Sequence, residues 1–161
     1  MRKALLLAAL LGFTWACSNN SGSSAGTAPT ASDETAKAAA DKPSGNYDSV
    51  KGAGKFTHVE LNAKLDDKLI AAGKSIYELK CSACHKLTAE KLVGPGWLGV
   101  TERRKPEWIM NFVTNTDEMI DKDPKAQAML EICMVRMPNQ HLSDDDARNI
   151  LEFMRKNDHS K

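Results

Sequence analysis

The stretch Cys81-Ser82-Ala83-Cys84-His85 limits what this 161-residue chain can become more than any other. Two thiols stand two residues apart, and an imidazole follows the second directly. A Cys-x-x-Cys pair alone can be a redox dithiol, half of a zinc site or a disulfide. A dithiol site belongs in a β-α setting, which the surrounding sequence lacks. A zinc site needs a second ligand pair, and Cys133 with His141 is poorly spaced for that role.

The five-residue pattern instead fits covalent attachment of a porphyrin. Two thiols at this spacing reach the two vinyl groups on one porphyrin edge, and His85 then lies under the iron. The expectation is one covalent haem c, with Cys81 and Cys84 as thioethers and His85 as the proximal iron ligand.

The N-terminus reads as a targeting segment. Arg2 and Lys3 precede an apolar run over residues 4–13. Ten residues rise only about 15 Å as a helix, too short for a bilayer core of about 30 Å. This is the form of a secretory signal. Its end, Thr14-Trp15-Ala16-Cys17, resembles the site at which bacterial lipoproteins are cleaved and diacylated on cysteine. Residues 1–16 are therefore read as signal and Cys17 as the lipidated residue. Residues 17–54 are rich in Ser, Gly, Ala and Thr, lack a hydrophobic period, and are read as a disordered tether. The folded domain is placed at 55–161. It carries 17 Lys and Arg against 17 Asp and Glu, so nothing suggests a nucleic-acid partner.

Within that domain the apolar spacing predicts helices and no strand. Residues 65–80 form the first, running straight into Cys81. Residues 86–104 are loop, broken hardest at Gly94-Pro95-Gly96. Pro106 opens a second helix and Asp123-Pro124 a third, which Met137-Pro138-Asn139 stops. Ser143 caps the last, where Ala147, Ile150, Leu151 and Met154 share one side. The fold class is all-α, with four to five short helices around one large covalent group.

The opposite face of the iron needs a ligand. Methionine is soft enough and raises the potential. Met137 is favoured because Pro138 keeps it in an irregular stretch; Met134 is the rival, with His141 or an open position behind. Met129 and Met154 fall at helical spacing and read as core. Cys133 has no role left for it and reads as a buried thiol.

In this order the features resemble the class I, mitochondrial-type monohaem cytochromes c, over residues 65–156. The resemblance rests on Gly73 and Tyr77 in the first helix, Cys81 to His85, Gly94-Pro95, Met137-Pro138, and Leu142-Ser143-Asp144 opening a helix that holds Phe153. It implies the cytochrome c fold and Met137 as distal iron ligand. It also implies a Pro95 carbonyl that accepts the other His85 ring N–H, and a close crossing of first and last helices at Gly73 and Phe153. Trp97 or Trp108 would sit near the haem, or simply in the core.

The implied function is single-electron transfer rather than catalysis. The expected partners are a quinol-oxidising donor complex and a terminal reductase or oxidase. A haem-copper oxidase and a nitrous oxide reductase both fit as acceptor. The chain would be exported, monomeric, and lipid-anchored to a bacterial membrane, its haem domain in the periplasm or on the cell surface. The alternatives are a haem-based peroxidase or gas sensor with a labile methionine, and a fixed haem subunit of a respiratory complex.

Overall fold

The computed structural model describes residues 47–159. The signal, Cys17 and the tether up to residue 46 lie outside the described residues. Two short strands, β1 (Tyr47–Asp48) and β2 (Gly52–Ala53), pair antiparallel. Six α-helices follow: α1 (Asp67–Ile76), α2 (Val100–Arg103), α3 (Pro106–Thr114), α4 (Thr116–Lys122), α5 (Pro124–Cys133) and α6 (Asp144–Asp158). A π turn, Tyr77–Cys81, continues α1.

Helix α6 is the floor of the core. Ala147, Ile150, Leu151 and Met154 recur at the helical period and are all buried. Its start is a capping box: Ser143 Oγ accepts from Asp146 N (3.1 Å), and the Asp146 carboxylate accepts from Ser143 N (3.3 Å). Helix α1, capped by Asp66, crosses α6 at Gly73. A Cβ placed on Gly73 would lie 2.1 Å from the Asn149 carbonyl oxygen and 2.8 Å from Phe153 Cβ. Glycine is therefore required there by the closeness of the other backbone, which offsets its helix cost of about 1 kcal/mol.

Three helices depart from the sequence reading. Helix α2 lies in the stretch read as loop, because its cap comes from far along the chain. The Asp158 carboxylate at the end of α6 accepts from Gly99 N (2.5 Å), Thr101 N (2.8 Å) and Thr101 Oγ1 (2.6 Å). Helix α4 follows α3 after one bent residue, Asn115, and the Thr116 hydroxyl donates to the Phe112 carbonyl across the bend (2.9 Å). The helix count is thus six rather than four or five. Helix α5 also stops at Cys133, earlier than expected. Met134 takes a left-handed conformation (φ 55°) and closes it, which leaves residues 134–142 free of helix.

The boundary between tether and domain also needs correction. It was placed after residue 54, yet the segment from Tyr47 onward is packed. Asp48 Oδ1 accepts from Val50 N and Lys51 N, an Asx turn that closes the hairpin. Ala53 is fully buried and its N–H donates to Met119 Sδ (2.9 Å). Buried Asn111 donates to the Lys51 and Phe56 carbonyls (2.9 and 3.0 Å) and accepts from Phe56 N (2.9 Å). Further on, Val59 N donates to Glu107 (3.0 Å), Asp66 N to Glu152 (3.1 Å), and Arg155 to the Asn62 carbonyl (2.9 Å). Residues 47–66 form a collar fastened to α3, α4 and α6 by buried polar side chains. The folded part begins no later than Tyr47.

Candidate functional site

The site starts where α1 widens. Ser82 N donates to the Tyr77 carbonyl (2.9 Å), an i to i+5 bond. Such π turns inside helices are frequent at functional positions. Cys84 N and His85 N then both reach back to the Cys81 carbonyl (3.0 and 2.9 Å), so the five-residue motif is wound into one compact turn. Cys81 is buried, which pushes its thiol up to about 11, with Lys80 pulling the other way. The Cys81 and Cys84 thiols are not joined as a disulfide.

The following loop is folded back onto this turn. Gly94 N donates to the Cys84 carbonyl (2.9 Å), and Trp97 N to the Lys86 carbonyl (2.9 Å). The result is that His85 Nδ1–H donates to the Pro95 carbonyl (2.9 Å). One ring nitrogen is thereby committed, and Nε2 is left available to a metal. Burial pushes the imidazole below its ordinary value, against the Pro95 carbonyl, which pulls it up. Neutral imidazole is the form that binds a metal. Gly94 lies against the ring: an added Cβ would stand 2.4 Å from His85 Cε1. Behind His85 runs a row of aromatics, with Trp97 at 5.7 Å, Tyr77 5.0 Å from Trp97, and Phe153 5.5 Å from Tyr77. The Tyr77 hydroxyl donates to the His85 carbonyl (2.7 Å). The proximal imidazole is therefore tied to the α1–α6 crossing.

Two adjoining clefts open beside His85. They share His85, Pro95, Phe112, Met129 and Met137. The first also includes Cys84, Ile120 and Leu130; the second includes Trp97, Trp108 and Met154, with Arg103 and Arg104 on its lining. Of the three distal candidates from the sequence, Met137 alone lines them, packed against the core. Met134 is exposed, and so is His141. Met129 lines both clefts too, but from within α5. Trp97 approaches His85, whereas Trp108 donates its indole N–H to Asp123 (3.1 Å) and stacks on Phe112. Cys133 is only half-buried and opens on the first cleft.

The donor set suits a haem. Among the described residues no three His, Cys, Asp or Glu side chains gather as they would around a bare ion. One imidazole and one thioether on a shared apolar cleft are too few donors for a bare ion, and would suit a macrocycle that brings its own four nitrogens. The Cys84 thiol lines that space, and Cys81 lies in the same wound turn, its carbonyl accepting from Cys84 N and His85 N. Arg103, Arg104 and Gly94 were missed from the sequence as site residues. The Arg-Arg pair before Pro106 is a visible signal; Gly94 is legible as a chain breaker and as part of the Gly94-Pro95 resemblance, but not as a residue against the His85 ring.

The family model described as Cytochrome c matches residues 70–158. A "Cytochrome c-553-like" protein of Synechocystis sp. is 31% identical over 62 residues, which is 37% of this chain and 59% of that one. The cytochrome c structure from Rhodothermus marinus is 32% identical with a TM-score of 0.65, covering 67% of this chain and 92% of that one. An engineered form of the Rhodothermus protein, solved with a carbene intermediate, aligns with a TM-score of 0.61 at the same identity, over 66% and 92%.

Proposed function

The chain belongs to the cytochrome c family, whose members hold haem c covalently and serve electron transfer, and on that premise we propose that it is a membrane-tethered single-electron carrier. The observation that carries the proposal is the placement of His85 and Met137 on the same two clefts, with Cys84 at the edge. Cys81 and Cys84 would hold the haem as thioethers. His85 through Nε2 and Met137 through its thioether would hold the iron. The bound haem supplies an iron centre that changes by one electron. The Pro95 carbonyl fixes the imidazole tautomer, and the aromatic row behind it limits tilting. Phe112, Ile120, Leu130 and Met129 keep water away, which favours the less charged ferrous state. Arg103 and Arg104 supply cations for the haem carboxylates.

With His85 and Met137 both holding the iron, no position would remain for a substrate. The tether is supported by the sequence of residues 1–17: a signal ending at Cys17, exported and then lipid-anchored. No helix among the described residues is long and apolar enough to cross a membrane. The donor in this reading is a quinol-oxidising complex and the acceptor a terminal reductase or oxidase.

The test is a redox titration of the purified holoprotein combined with carbon monoxide exposure. A single reversible one-electron wave, with no carbon monoxide bound by the reduced protein at neutral pH, is the expected result. Ready carbon monoxide binding, or turnover of peroxide, would point to the peroxidase or sensor reading and against a carrier.

A further inference from the structure

We propose that Arg136 is a positioning residue for the distal ligand: it clamps the Met137 segment to α4, and so keeps the thioether on the cleft and the iron closed to small molecules. The inference rests on the carrier reading, with Met137 on the iron, and adds what holds that ligand in place.

The Met137 segment has little hold on itself. Helix α5 ends at Cys133, Met134 turns the chain in a left-handed conformation, and α6 begins only at Asp144. From Val135 to Leu142 the backbone makes no backbone–backbone hydrogen bond among the described residues. Two of its polar side chains bond within it. Asn139 Oδ1 accepts from His141 N (2.8 Å), and Gln140 Nε2 donates to the Pro138 carbonyl (3.3 Å). Met137 itself is half-buried against the core. A stretch with so few backbone bonds is one that opens locally at low cost.

Two side chains fasten it from either side of Met137. Three residues beyond, Lys80 Nζ donates to the Gln140 carbonyl (2.9 Å), a single bond to a neutral group. Directly before Met137, Arg136 makes the larger contact. Its Nη2 donates to Asp121 Oδ1 (2.8 Å) and to the Asp117 carbonyl (3.2 Å), and its Nε to Asp117 Oδ1 (3.4 Å). Asp117 and Asp121 stand four apart on α4, so one helix face offers both carboxylates. The planar fork of a guanidinium can meet both at once, which an ammonium cannot. Helix α4 is a firm anchor. Ile120 lines the first cleft, as Arg136 does, and Met119 Sδ accepts from buried Ala53 N. The Arg136, Asp117 and Asp121 side chains are 42%, 62% and 63% exposed, so the clamp is open to screening by salt. An exposed pair adds little to global stability. Its effect here is local, because the segment it holds has few other polar ties.

The test is displacement of the sulfur-to-iron charge-transfer band by imidazole in the full-length oxidised holoprotein at neutral pH. Arg136→Gln should bind imidazole about fivefold more tightly than wild type, with haem content and melting temperature unchanged. The double variant Asp117→Asn, Asp121→Asn should do the same, and adding Arg136→Gln to it should change nothing further. Arg136→Lys should recover part of the effect. Raising salt from about 50 to about 500 mM should bring the wild type toward Arg136→Gln and leave that variant unmoved. Lys122→Gln, which breaks the Lys122–Glu118 pair on the same helix, should match wild type. Equal imidazole affinity for wild type and Arg136→Gln would overturn the proposal, as would additive effects from the two sides of the clamp. A rise in affinity seen only with a fall in melting temperature would make the contact a general stabiliser and overturn it too. Failure of the carrier reading is separately visible, as a wild type that shows no such band before imidazole is added.

Discussion

At His85 a single ring is held from three directions: a hydrogen bond to Pro95 on one nitrogen, Gly94 against the ring, and Trp97 behind it. Replacing Gly94 by alanine would place a methyl 2.4 Å from Cε1, so the ring must turn or the loop must lift. The Gly94→Ala holoprotein should show a weakened axial bond, read as easier displacement of an axial ligand by added imidazole than in wild type. Asp123 is a second residue with several duties. It is fully buried, accepts from Trp108 Nε1 (3.1 Å), and caps α5 through Ala126 N (2.9 Å). Asp123→Ala leaves both donors unmatched and should cost about 2–4 kcal/mol in denaturant unfolding. These two residues also mark the limit of what the sequence showed. Cys81, Cys84 and His85 were legible because covalent attachment demands a fixed spacing. Asp123 was legible as a cap but not as a partner for Trp108, and Asn111 was not legible at all. A lone asparagine on an apolar helix face carries no mark of the three bonds it makes to a distant segment.

The elements differ in how they are held. The α1–α6 crossing depends on one glycine. Gly73→Ala sets a methyl against a backbone carbonyl that cannot swing aside, so the helices must separate. The expected cost is about 2–3 kcal/mol, a fall in melting temperature of roughly 10 °C. A melting temperature within a degree or two of wild type would mean the crossing is looser than described. The collar of residues 47–66 depends instead on polar side chains. Asn111→Ala should speed amide exchange at Ala53 and Phe56 while Ile150 and Leu151 in α6 stay protected. Uniform loss of protection would show that collar and core open together. The last helix was legible from a strong period and a capping box within one stretch. Helix α2 was not, since its cap is Asp158, and the collar was not, since its glycines and small residues resemble a linker until Asn111 and Met119 are set against them.

Across the described residues the helices enclose a buried core and line the apolar clefts beside His85. Phe112, Ile120, Met129 and Leu130 turn part of their surface toward the clefts, while Met119 on α4 and Asp123 between α4 and α5 face the collar. The collar thus backs the wall that carries the distal side. The all-α class and the one-haem reading were visible from the motif and the helical periods, and the family match agrees with both. The extent of the domain was not, because the match begins at residue 70 and the collar lies before it.

The central claim is that His85 and Met137 bind one iron from opposite sides of a haem held by Cys81 and Cys84. Its most direct test is the visible and near-infrared spectrum of the oxidised holoprotein, with a pyridine haemochrome assay for the covalent c-type link. The account predicts a c-type haemochrome and a sulfur-to-iron charge-transfer band. That band should vanish in Met137→Ala and persist in Met134→Ala and Met129→Leu. A band that survives Met137→Ala, or a chain that takes up no haem when made with a working attachment system, would contradict it.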